Sequence, residues 1–335
     1  MDGLIERATK NLRDTLEQAL CVMPSEHALV IYDAQAPLTR IMVEAYRRAL
    51  PSAKFVAFES TLPEQVLALF NELKPKDLVV LVQSMNFRLN EFRLRIELFQ
   101  RGLKTIEHIH LARLEASQFG TYVDALAYDA DTIRPLGRAL KQQLDACTCV
   151  TVECEGTKLV YDTGMEDTKM NVGDYSEMKN VGGTFPIGEV FTEAKDLTRV
   201  NGDVKVFGFA GEDHIVRLYE SFPVHIEQGI LTAPEGPEDF QRILDLIRED
   251  EAVLVREFGL GLNKAMGKHA LVNDITAFER QHGLHFSLGA KHAMYPKPGL
   301  KRKEGRYHVD IFIDVQKICV DEKVIFENGG YTIRA

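Results

Sequence analysis

No stretch of this chain approaches the ~18 consecutive uncharged apolar residues of a membrane-spanning helix, so no membrane partner is expected. The opening segment, residues 1–13, mixes charges and lacks the apolar core of a secretory leader. Cysteine is scarce and odd in number, at positions 21, 147, 149, 154 and 319. That usage fits reduced thiols and a cytoplasmic setting rather than a disulfide framework. The grouping of Cys147, Cys149 and Cys154 matches no zinc spacing and reads as thiols on a buried strand. Positive charge is in deficit: 40 Lys and Arg stand against 50 Asp and Glu, for a formal charge of −10. A chain of that sign repels phosphate backbones, so nucleic acid is not an expected partner. Internal repeats are absent. So are the glycines of a dinucleotide or phosphate loop: the turn after the first strand reads Asp33-Ala-Gln-Ala-Pro-Leu38, without G-x-G-x-x-G or G-x-x-x-x-G-K.

What is present is an ordinary globular balance, with 45% hydrophobic and 27% charged residues. At roughly 150 residues per domain the length predicts two domains. Up to about residue 145 the pattern alternates. Short apolar runs at 28–32, 53–58 and 77–82 read as strands; residues 38–50, 62–73, 90–101 and 132–146 carry helical spacing. Strand and helix in alternation with short links predict a parallel α/β sheet. After residue 148 the pattern changes. Strands are predicted at 149–153, 158–162, 203–210, 216–222, 229–233, 252–258, 285–288, 308–315 and 317–326, with one amphipathic helix at 238–250. The predicted fold is thus an N-terminal parallel α/β scaffold domain, 1–148, followed by a mainly antiparallel α+β metal-binding domain, 149–335.

Four segments of the second domain carry potential metal ligands at strand ends or glycine turns. Glu189 follows Gly182-Gly-Thr-Phe-Pro-Ile-Gly188. Glu257 ends an apolar run and precedes Gly259 and Gly261, where the backbone is open to close approach. His285 sits inside the run 284–288. His308 and Asp310 are two apart, so a strand turns both to one face. Singly, each has a plain structural alternative: a loop carboxylate, an edge ion pair, a satisfied core histidine, a chance H-x-D. Together, two Glu, two His and one Asp form an oxygen and imidazole set that suits Zn²⁺, Co²⁺ or Mn²⁺, and two such ions can share a bridging carboxylate. The cationic run at 297–303 reads as a solvated loop, or as a lid that meets an anionic group of the substrate.

The order G-E-V-F-T at 188–192, E-x-G-x-G-x-N at 257–263, H-x-x-x-G at 285–289 and H-x-D at 308–310 resembles the M29 metallo-aminopeptidases, the aminopeptidase T group, over most of residues 180–330. The resemblance implies a pair of divalent metals (Zn, Co or Mn) held by Glu189, Glu257, His285, His308 and Asp310. It also implies a hydroxide between the metals that attacks a peptide or small amide substrate, and a homodimer. A carboxylate shortly before the third-segment His would carry the proton, and Glu279, six residues before His285, is the candidate. The family's oxyanion-donating Tyr is replaced at 292 by His, leaving His292 itself or the nearby Tyr295 to serve. The Asp-Glu lead-in of the family reads Ala277-Phe278-Glu279-Arg280 here.

Two other functions stay open on the sequence. The 2,5-dihydroxypyridine dioxygenases, which resemble this fold, use one Fe²⁺ held by two His and one carboxylate; they lack the G-E-V-F-T segment and carry a His near the position of Glu257. A non-catalytic relative would instead use the site to hold a peptide in a biosynthetic pathway. Retention of both Glu189 and Glu257 favours the hydrolase.

Overall fold

A computed structural model describes residues 1–89, 92–290, 295 and 307–333. The chain divides into two compact units. The first comprises Met1–Arg134, Val172–Ile187 and Ala270–Ala277; the second comprises Pro135–Asn171, Gly188–His269 and Phe278–Ala335.

The first unit is built on a five-stranded sheet in the order Gly182–Thr184, Lys104–His108, Leu78–Val82, Ala28–Tyr32, Lys54–Ala57. Every neighbouring pair is parallel, as the alternating pattern predicts. Helices Pro37–Ala49 and Pro63–Glu72 each begin with a proline, whose fixed φ and missing N–H suit the first helical turn. Alternate strand residues Leu29, Ile31, Val79 and Leu81 share a core with Val66 and Phe70 of the second of these helices and with Leu94 and Leu98.

Several elements depart from the sequence reading, among them three near the chain's first strands. Helix Leu94–Gln100 is shorter than predicted, because Arg88–Leu89 and Phe92–Arg93 pair antiparallel before it begins. An N-terminal helix, Asp2–Asp14, was not read. It buries Ile5, Ala8 and Leu12, a helical spacing masked by the charges between them. Strand Lys104–His108 was also missed, because it starts with a lysine and contains a glutamate. Lys104 is nonetheless buried: Nζ lies 2.7 Å from Glu26 Oε2 and donates to the carbonyl of Cys21 at 2.9 Å.

The second unit is a 13-stranded sheet. Strands Lys169–Asn171, Glu189–Glu193, Val255–Gly261, Gly283–Gly289, His308–Ile313 and Val200–Ala210 lie side by side, all antiparallel. Helix Glu238–Arg248 buries Phe240, Ile243, Leu244 and Ile247, with the Phe240 ring 4.9 Å from that of Phe209. The predicted strand at 317–326 is two strands, Val315–Val320 and Lys323–Glu327. The chain reverses at Asp321, whose φ is 51° and whose carboxylate accepts the backbone N–H groups of Thr148 and Cys149. The turn read at Glu155-Gly156 is present, with Gly156 at φ 74°. Among the described residues no helix is long and apolar enough to cross a membrane.

The Lys104–Glu26 pair generates a stability prediction. With side chains only 8% and 12% exposed, neither charge is well hydrated once its partner is gone. Lys104→Met should cost about 3 kcal/mol in urea unfolding, and the double change with Glu26→Gln should recover much of it. An unchanged midpoint for the single variant would refute this account.

Candidate metal centre

Antiparallel register assembles the candidate site. Glu189 stands opposite Gly261, Phe191 opposite Gly259 and Glu193 opposite Glu257. On the next strand Gly259 stands opposite His285, and on the one after that Ser287 stands opposite Asp310. Directly opposed residues share a face. Glu189, Glu193, Glu257, His285 and Asp310 therefore project from the same side of four adjacent strands. All five are buried.

Gly259 makes this face usable. A Cβ at that position would overlap Cε1 and Nε2 of the His285 ring. With only hydrogen there, the imidazole lies across the neighbouring strand. Its Nε2 reaches to 3.2 Å from Glu257 Oε1 and 3.4 Å from Glu189 Oε1. Ligand atoms of Glu189, Glu257 and His285 all lie within 4.8 Å of one another, which suits a single cation. The Ser287 hydroxyl accepts the backbone N–H of Glu257 at 3.1 Å and fixes that strand at its bulge. His285 Nδ1 is buried with no hydrogen-bond partner among the described residues.

His308 and Asp310 face each other as their spacing predicts, with His308 Nε2 3.3 Å from Asp310 Oδ1. Nδ1 of His308 is 3.4 Å from the carbonyl of Ala290. The pair lies within electrostatic reach of the three-residue cluster: Asp310 feels the charge of His285, and His308 that of Glu257. Arg280, also buried, places Nη2 3.6 Å from Glu189 Oε2. Glu279 contacts the other guanidinium nitrogen, Nη1. Tyr295 is buried, and its hydroxyl donates to the carbonyl of Asp167 at 3.1 Å, with that of Phe191 at 3.4 Å. Burial, followed by the charges of Glu257, Asp167 and Glu193, pushes its phenol well above the ordinary value. His292 and the cationic run at 297–303 lie outside the described residues.

Without a cation, protons hold these charges together. Burial alone pulls the His285 pKa down, but hydrogen bonds and charge from Glu189 and Glu257 outweigh it and push it up to about 10. Desolvation likewise lowers His308, and Asp310 with Glu257 raises it to about 9. Glu189 falls below the usual carboxylate range: desolvation raises it, but Arg280 and His285 prevail. Asp310 is lowered in the same way, chiefly by His308 against desolvation. A divalent cation held by His285 would take the place of the imidazolium proton, as such ligands exchange protons for metal.

Sequence reasoning passed over Arg280 and Glu193 as members of this face. Glu193 was legible by parity, four residues after Glu189 on one strand. Arg256 Nη1 lies 3.5 Å from its Oε1. Arg280 carried no such signal, since it precedes the strand that holds His285.

Two predictions arise here. Gly259→Ala should displace the His285 ring, destabilise the protein by about 1–3 kcal/mol and weaken metal binding; wild-type metal affinity in a folded variant would contradict the steric account. In chelator-treated protein, the raised histidine pKa values imply stability that is full below the unfolded value of about 6.5. That stability is lost as pH rises to about 10 through the folded values. Urea midpoints should therefore fall across that window, and a flat or rising profile would count against it.

Comparison with models of protein families and with curated proteins yields no match for this chain. Among solved structures, wild-type AmpT from Thermus thermophilus is similar, with a TM-score of 0.59 at 15% identity, over 98% of this chain and 99% of that one. At that identity the likeness is one of architecture: along nearly its whole length, this chain has the fold of AmpT.

Proposed function

We propose that the chain is a metal-dependent hydrolase that cleaves peptide or small amide bonds, in the manner of an aminopeptidase. The observation that carries this reading is the buried convergence of Glu189, Glu257 and His285 on one point. Three protein ligands of oxygen and imidazole type, with a coordination position left for substrate or water, follow the pattern of catalytic zinc sites. The fold of AmpT supports the reading, because it agrees with the resemblance to the aminopeptidase T group carried by the four motifs. The tight cluster holds one His and two Glu, whereas the iron dioxygenase alternative requires two His and one carboxylate.

In this reading Glu189 and Glu257 supply oxygen ligands and His285 supplies Nε2. When bound, the cation is a Lewis acid that polarises a carbonyl oxygen and acidifies water. The protein contributes the rest. Gly259 and Ser287 hold the ligands in register, and the sheet excludes bulk water from them. The His308–Asp310 pair lines the same face. Glu279 is the proposed proton carrier, taking a proton from water and delivering it to the leaving amine.

The test uses protein stripped with a chelator and reloaded with Zn²⁺, Co²⁺ or Mn²⁺, assayed on short peptides with free and blocked N-termini. Release of the N-terminal residue should require metal and a free amine. His285→Ala should lower the rate on the order of 100-fold or more while the fold is kept. Hydrolysis that is indifferent to chelator, or absent with every metal and peptide tried, would refute the proposal.

A further inference from the structure

We infer that Arg280 occupies the place of a second cation, so that this site takes one divalent ion per chain rather than two. The inference rests on the metal-hydrolase reading and concerns the number of ions in it. A carboxylate that bridges two ions gives one oxygen to each. In Glu189 the two oxygens are already divided: Oε1 lies 3.4 Å from His285 Nε2, inside the cluster, and Oε2 lies 3.6 Å from Arg280 Nη2, outside it. An ion bound to Oε2 at about 2.1 Å would stand within about 6 Å of a guanidinium that cannot shed its proton. Arg280 is only 9% exposed, so water does little to screen that repulsion.

The remaining candidate ligands do not offset this cost. Asp310 faces His308 at 3.3 Å and already lies in the field of Arg280. Among the described residues, one group of three ligands closes to within 4.8 Å, and it is the group on the Oε1 side of Glu189. The nearby carboxylates already have partners: Glu193 faces Arg256, Glu279 contacts Arg280, and Asp310 faces His308. Arginine suits this role better than lysine, because its charge is permanent and its planar fork reaches a carboxylate edge without losing a proton to burial.

The experiment is ion stoichiometry, which needs no substrate. Chelator-treated protein is dialysed against excess Zn²⁺ and, separately, Mn²⁺, then analysed for bound metal and titrated calorimetrically. The parent should bind one ion per chain, and Arg280→Gln should bind two, the second in a separate step. Arg280→Met, which also removes the charge but keeps much of the side-chain volume, should likewise bind two; it covers the case in which the glutamine variant does not fold. Two ions in the parent overturn the inference while leaving the hydrolase reading intact. One ion in a folded Arg280→Gln variant overturns the role of Arg280. No ion in the parent with either metal overturns the metal-hydrolase reading itself.

Discussion

The candidate site depends on one steric fact: the His285 imidazole lies where the side chain of residue 259 would be. Across an antiparallel pair, opposed side chains normally stand upright beside each other. Here one of them is hydrogen, and the other ring leans across the vacated space. That lean brings Nε2 between Glu189 and Glu257, which belong to two different strands. The carboxylates could not otherwise share a nitrogen ligand, because the strand that carries His285 is separated from the one that carries Glu189 by a full strand width.

Around that contact the electrostatics follow from burial. Four carboxylates buried on one face of a sheet repel one another in a medium that screens poorly, and each needs a positive neighbour. Glu189 has Arg280 and His285, Glu193 has Arg256, Glu257 has His285, and Asp310 has His308. The two histidine pKa values are raised in consequence. A bound cation would replace an imidazolium proton, whereas the arginine has no proton to give up.

The first unit treats buried polarity differently. Lys104 and Glu26 form a direct buried pair. His108 sits between two tyrosines, Nε2 2.7 Å from Tyr46 Oη and Nδ1 2.8 Å from Tyr122 Oη. Burial with no carboxylate partner drives its pKa down to about 3, the opposite of what happens at His285. Two fully buried histidines thus differ in charge because one faces hydroxyls and the other carboxylates. Neither outcome follows from the residue type, and both follow from the neighbours.

The sequence by itself determined the class of fold and singled out the candidate ligands. Apolar runs, helical spacing and proline-led helices are local signals, and they sufficed for a parallel sheet followed by an antiparallel one. They failed where a charge is buried by a distant partner, as in the Lys104–His108 strand. They failed also where short pairings or a left-handed residue redirect the chain, before Leu94 and at Asp321. The five candidate ligands and the two glycines were legible as motifs. Tertiary structure decided how they meet. Strand register is set by pairing between segments far apart in sequence, so only it could bring Glu189, Glu257 and His285 to one point and set His308 with Asp310 beside them. Only it could turn Arg280, which the sequence showed only as part of an altered motif, toward the second oxygen of Glu189.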